Sequence, residues 1–164
     1  MKRPLFVVVL TVVALAAGYL LAAHLSGGAF PCLGLPLGGD RGELRRTTRS
    51  FIEDIQFKDF KRAATYHEPE KQSRIDIPFI IQRLFMIKPE ALDIMSCEIV
   101  FAELDSTGNR GRVKARVKAK ELGRGDIRTQ EFILYYERAG RGDPWYMKLE
   151  DSLRNLEAIR GKKS

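Results

Sequence analysis

The stretch Arg112-Val113-Lys114-Ala115-Arg116-Val117-Lys118-Ala119-Lys120 constrains this chain more than any other. Side chains of a strand point alternately to opposite faces, so strict alternation over nine residues reads as a half-buried β-strand. Val113, Ala115, Val117 and Ala119 form a face of small apolar groups, which bulky side chains from elsewhere must cover. Arg112, Lys114, Arg116, Lys118 and Lys120 form the other face, which must meet water or an acidic partner.

The rest of the charge is unevenly spread. Residues 4–39 contain no Asp, Glu, Lys or Arg. Beyond residue 40 stand 26 Lys and Arg against 20 Asp and Glu, a net +6. That excess favours anionic surroundings such as lipid headgroups or acidic proteins. Within the uncharged part, Leu5 to Leu25 is 21 residues long. At about 1.5 Å per residue it reaches about 31 Å, enough for a hydrocarbon core of about 30 Å. A transmembrane anchor is expected over 5–25 after a short basic start at 1–4. A cleaved signal sequence is the rival, although its apolar region usually runs only about 7–15 residues. Lys2 and Arg3 favour a cytoplasmic N-terminus and an extracytoplasmic domain. Arg41, Arg45, Arg46 and Arg49 pull the other way from the edge of the range that counts. Residues 26–39 hold five glycines and two prolines and read as a linker.

The domain is expected over 40–160, with a short tail at 161–164. Asp40 and Glu43 have capping-box spacing. Leu44, Thr48, Phe51, Ile52 and Ile55 then recur as one helical face. A second helical stretch carries Phe57, Phe60, Ala63, Ala64 and His67, and ends before Pro69. Asp76 caps a third helix, with Pro78 in its first turn and Ile77, Ile80, Ile81, Leu84 and Phe85 as its apolar face. The period then changes from 3.6 to 2. Residues 94–104 read as a strand with Met95, Cys97, Ile99 and Phe101 inward. The alternating stretch follows, then a strand at 127–137 with Phe132, Leu134 and Tyr136 on one face, and a short strand at 145–149. Leu153, Leu156 and Ile159 suggest one or two weak helical turns. Gly-Arg-Gly-Asp occurs at 123–126 and 140–143; between strands, these tetrapeptides read as turns rather than as integrin-binding motifs. Helices followed by strands imply an α+β domain, with the helices on one face of a four-stranded antiparallel sheet.

The helical part, Thr48-Arg49-Ser50-Phe51-Ile52 through Asp59-Phe60 to Ala63-Ala64, and the closing Asp143-Pro144-Trp145-Tyr146-Met147-Lys148-Leu149 together resemble the nuclear-transport-factor-2-like superfamily, also called cystatin-like. The resemblance covers about residues 44–151. It implies a curved, cone-shaped sheet around helices that leaves a conical pocket. The superfamily includes isomerases, polyketide cyclases, dehydratases and many non-enzymatic modules, some of them behind one N-terminal membrane span.

Enzymes of that kind need a pocket acid or a His–Asp pair to move protons. The nearest candidates are Tyr66-His67-Glu68 with Asp76 or Asp93. His67 closes a helix, where the dipole alone favours it, so a cap or surface role is expected. No evident catalytic pair emerges. Phe101, Phe132, Tyr136 and Trp145 would line an apolar pocket for a small molecule, or else fill the core. Cys97 reads as a small buried thiol. Cys32 and Cys97, far apart, make no metal site, and a disulfide between them has no support from the linker position of Cys32. No cofactor fingerprint is present. Nucleic acid is disfavoured, because a stacking sheet would set aromatics among the basic residues, and Tyr135 is the one neighbour of that kind.

The expectation is a membrane-anchored, extracytoplasmic, non-enzymatic binding or assembly module. The alternatives are a small pocket enzyme and a secreted ligand binder released by cleavage. On the outer sheet face, Glu98, Glu131 and Glu137 are expected beside the five basic residues. The remaining excess disfavours a face-to-face sheet dimer and favours an acidic partner there.

Overall fold

Backbone contacts divide the chain into two units, Met1–Glu43 and Leu44–Ser164. The computed structural model describes residues 3–29 and 37–161. Residues 30–36 of the expected linker, Cys32 among them, lie outside the described residues, as do Met1, Lys2 and 162–164 of the tail.

The first unit contains α1, Arg3–Leu25. Its 19 residues Val7–Leu25 are long and apolar enough to cross a membrane or to act as a signal sequence. α2 is Gly39–Gln56. It opens earlier than the capping-box spacing indicates, because Gly42 N–H already donates to the Gly38 carbonyl at 3.0 Å. Asp40 therefore lies in the first turn rather than at the cap, where its carboxylate still meets the positive end of the helix.

The second unit is α+β. From Leu44 onward, α2 buries Leu44, Thr48, Phe51, Ile52 and Ile55, as the spacing requires. Each large apolar side chain so buried is worth about 1.5–3 kcal/mol. The expected helix from Phe57 to His67 is interrupted. Lys58 takes a left-handed backbone, φ 61°, and Phe57 is left exposed. α3 is only Phe60–Ala64, restarted by Asp59, whose Oδ1 accepts from Arg62 N–H at 3.0 Å. Pro69 begins a further short helix, α4, Pro69–Gln72. α5, Ile77–Phe85, matches its pattern: Asp76 Oδ1 accepts from Phe79 N–H at 2.9 Å, and all five expected residues are buried. Left-handed Met86 ends it, and a 3-10 turn at Pro89–Ala91 leads into the sheet.

The strands are β1 Leu92–Leu104, β2 Arg110–Glu121, β3 Ile127–Glu137 and β4 Tyr146–Met147, antiparallel in the order β1-β2-β3-β4. Val113, Ala115, Val117 and Ala119 are fully buried. β1 departs from simple alternation. Its pairing with β2 shifts between Ile94 and Ser96 and again between Ile99 and Phe101. Each shift inserts an extra residue, Met95 and Val100, and an extra residue exchanges the faces that follow it. The buried members are therefore Leu92, Ile94, Ile99 and Ala102, with Cys97 packed at the core's margin. Met95 is exposed, and Phe101 falls on the outer face opposite Lys114.

β4 is shorter than expected and α6, Leu149–Gly161, is longer. α6 buries Leu149, Ser152 and Leu156. The polar Ser152 on that face hides the helical period in the sequence. α6 also covers part of the edge of β3: Ser152 Oγ accepts from Tyr135 N–H at 3.2 Å, and Lys148 N–H donates to the Tyr135 carbonyl at 2.8 Å. Both Gly-Arg-Gly-Asp tetrapeptides lie in the connections flanking β3, with Gly123, Gly125 and Gly142 at positive φ.

Candidate functional site

The residues named as pocket lining separate. Phe132 packs edge-to-face on Phe85 at 5.6 Å between centroids, inside the core. Tyr136 is buried, and its Oη lies 2.6 Å from Thr48 Oγ1. Trp145 is buried beneath the Arg138 guanidinium, 4.3 Å from its ring, and Arg138 in turn donates to the Gly108 carbonyl at 2.7 Å. These three are core residues. Phe101 is not: it stacks against the Arg112 guanidinium at 5.8 Å on the outer face.

That outer face carries the basic stripe, and its charges are largely answered. Because directly opposed residues of a ladder share a face, Glu98 and Glu131 flank Arg116 from both neighbouring strands. Arg116 reaches Glu98 at 3.0 Å and Glu131 at 2.7 Å. Lys114 also reaches Glu131 at 2.7 Å, and Arg112 reaches Glu103 at 2.7 Å. Arg110 reaches Glu137 at 3.3 Å. Lys114, then Arg116, holds the Glu131 carboxyl below the usual carboxylate range. Lys118 and Lys120 make no ion pair among the described residues. The stripe thus divides into a neutralised half, Arg112 to Arg116, and an open half, Lys118 to Lys120.

A second cluster forms where β3, β4 and α6 meet the segment after α3. Lys148, mostly buried, bonds Glu68 and stands 3.4 Å from Glu137. Lys71 reaches the other oxygen of Glu68 at 2.8 Å. Hydrogen bonds from Lys148 and then Lys71 bring the Glu68 carboxyl down to about 2. Hydrogen bonding to Glu68 raises Lys148 in turn. Nothing local in the sequence announces this cluster, since 80 residues separate Glu68 from Lys148.

Beside it runs a groove of about 400 Å³ lined by His67, Lys71, Arg74, Lys148, Glu150 and Asp151 among others. Of the cap or surface role expected for His67, the surface alternative fails, since it is 2% exposed, while its ring meets the carbonyl of Ala64 at the end of α3. Burial lowers its pKa from the ordinary value. Its Nδ1 lies 3.3 Å from the Ala64 carbonyl, an acceptor, so Nδ1 carries the proton and Nε2 is left as an acceptor. Nε2 is buried and has no hydrogen-bond partner among the described residues. Asp76 caps α5 and does not line this groove. Asp93 lies opposite Lys120 at the start of β1. Tyr66 donates to Asp54 at 3.0 Å, and burial, reinforced by that bond, raises its pKa. The candidate acid–base residues are therefore not assembled on one centre. Among the described residues, no group of three or more His, Cys, Asp or Glu is placed to hold a metal ion.

The chain matches no protein-family model, no curated protein and no solved structure.

Proposed function

We propose that this chain is a membrane-anchored, extracytoplasmic binding or assembly module, with a domain of the nuclear-transport-factor-2-like type. The observation that carries the reading is the pairing of the apolar helix Val7–Leu25 with an α+β domain whose Phe132, Tyr136 and Trp145 are buried in the core. The order of helices then strands supports the superfamily, and the two extra residues in β1 support a curved, cone-like sheet, because bulges bend the strand that carries them. Recognition then falls to the outside of the domain. Expression of the full chain, fractionation and a carbonate wash test the anchor: it should stay in the membrane pellet at full length. Recovery as a shorter soluble chain would establish the secreted alternative instead. Detergent extraction and co-purification should then yield a stable acidic partner.

A second reading, small-molecule binding or catalysis of isomerase, cyclase or dehydratase type, draws its support from the groove beside His67. Its lining sets His67 near Arg74, a cation for a ligand carboxylate. Thermal-shift screening of hydroxy acids and amino acids tests it: stabilisation of the native chain and its loss in His67→Phe would favour this reading.

A further inference from the structure

One end of the domain gathers large apolar side chains in water. Leu122 N–H donates to the Ala91 carbonyl at 2.8 Å, which fixes the β2–β3 turn against the start of β1. Lys58 Nζ bonds the Leu92 carbonyl, bringing its neighbour Phe57 to the same end. Ile127 stands opposite Lys120, and Met95 is the extra residue beside the Ser96–Lys118 pair. These four side chains are 73% (Phe57), 54% (Met95), 54% (Leu122) and 59% (Ile127) exposed. A soluble domain seldom leaves such a group together without a use for it.

Cations stand among them. Lys118 and Lys120 have no carboxylate partner among the described residues. Arg124 and Arg128 share one, Glu121, at 3.4 and 3.6 Å. Asp93 and Asp126 lie at the same end and keep the net charge small, so charge alone would not hold a partner here. Apolar side chains interleaved with lysines match a bilayer surface, in which the first enter the headgroup boundary and the second meet lipid phosphates.

We infer that this end, the β2–β3 turn with Phe57 and Met95, docks on an anionic bilayer. The inference rests on the anchored reading above, since an anchor at Val7–Leu25 keeps a bilayer at high effective concentration. It moves the contact from the neutralised half of the stripe to the open half.

The test uses the full chain carrying Leu122→Trp, reconstituted in vesicles of brominated phosphatidylcholine with and without phosphatidylglycerol. Trp145, the one native tryptophan, is buried, so the unsubstituted chain gives the background. Quenching of the added indole should appear when phosphatidylglycerol is present. Lys118→Glu with Lys120→Glu should weaken docking about fivefold or more per charge, with circular dichroism unchanged. Equal quenching in both vesicles, or none in either, overturns the inference; the latter is also the result for a surface made for an acidic protein. Retention after carbonate washing reads the anchor separately. If the chain washes off, the anchored reading fails, and the same quenching with the washed chain added to preformed vesicles decides docking alone.

Discussion

Tyr136 Oη and Thr48 Oγ1 stand 2.6 Å apart in the interior and join β3 to α2. Both residues are buried, so each hydroxyl depends on the other. Tyr136→Phe or Thr48→Val alone leaves one buried group unpaired and should cost about 1–2 kcal/mol. The double variant should cost less than the sum, by about 1 kcal/mol. Urea denaturation of the four proteins measures this, and strict additivity would refute the pairing. Burial also raises the Tyr136 pKa above the ordinary 10. The unfolded chain then ionises first, so this contribution is present below pH 10 and is lost as pH rises beyond it.

Gly111 is required where β2 passes α2. A Cβ there would stand 2.5 Å from Leu44 Cδ1, and Leu44 is fully buried. Gly111→Ala should destabilise by about 1–3 kcal/mol through overpacking. Leu44→Ala in the same chain should recover part of that cost. A double-variant loss equal to the sum of the single losses would show that the two sites do not touch.

Glu131 answers both Lys114 and Arg116, and all three side chains are partly solvated. Glu131→Gln should therefore change stability by less than about 1 kcal/mol. It should nevertheless lengthen retention on a polyanion column, because one negative charge is lost and Lys114 is freed, while Arg116 keeps Glu98. Unchanged elution at low salt would count against this account of the outer face.

His67 sets a pH dependence on the acid side. Its folded pKa is lowered by burial, whereas the unfolded side chain titrates near 6.5. Below pH 6.5 the unfolded state binds a proton that the folded state refuses, so stability is full above 6.5 and falls as pH drops toward the folded pKa. The slope approaches about 1.4 kcal/mol per pH unit. His67→Phe should flatten this segment in urea titrations over roughly pH 7.5 to 5.5, the interval about the ordinary histidine value. A wild-type chain with the same midpoint across that interval would exclude it.

Lys148 controls the Glu68 carboxyl. Lys148→Met should raise the Glu68 pKa from about 2 toward the ordinary 4.5, with Lys71 still holding part of the shift. Carbon-detected titration of the side-chain carboxyl reads it directly. In the native chain this shift supplies stability that is present above pH 4.5 and disappears as pH falls toward 2.

The sequence showed most of the fold wherever one periodicity ran unbroken. The alternation of β2 and the apolar faces of α2 and α5 needed only local geometry, and their buried residues are those the spacing names. It misled where one residue broke the count. Left-handed Lys58 cut a helix that composition alone favours, and Met95 and Val100 moved Met95 and Phe101 off the inner face. The cluster of Glu68, Lys148 and Glu137 was illegible because tertiary folding alone brings its members together. His67 was legible as a candidate, but its burial depends on packing that no local pattern carries.

The two extra residues in β1 also bear on how this strand can change length over generations. Deleting Met95 alone would remove a bulge while leaving Ile94 opposite Ala119 and Ser96 opposite Lys118. The same holds for Val100 between its neighbours. Deleting Glu98 instead would reverse every side chain on one side of the gap. Codon loss in β1 should therefore survive selection at those two positions and be purged between them, so that the strand can shorten from 13 residues to 12 or 11 with the same inner face.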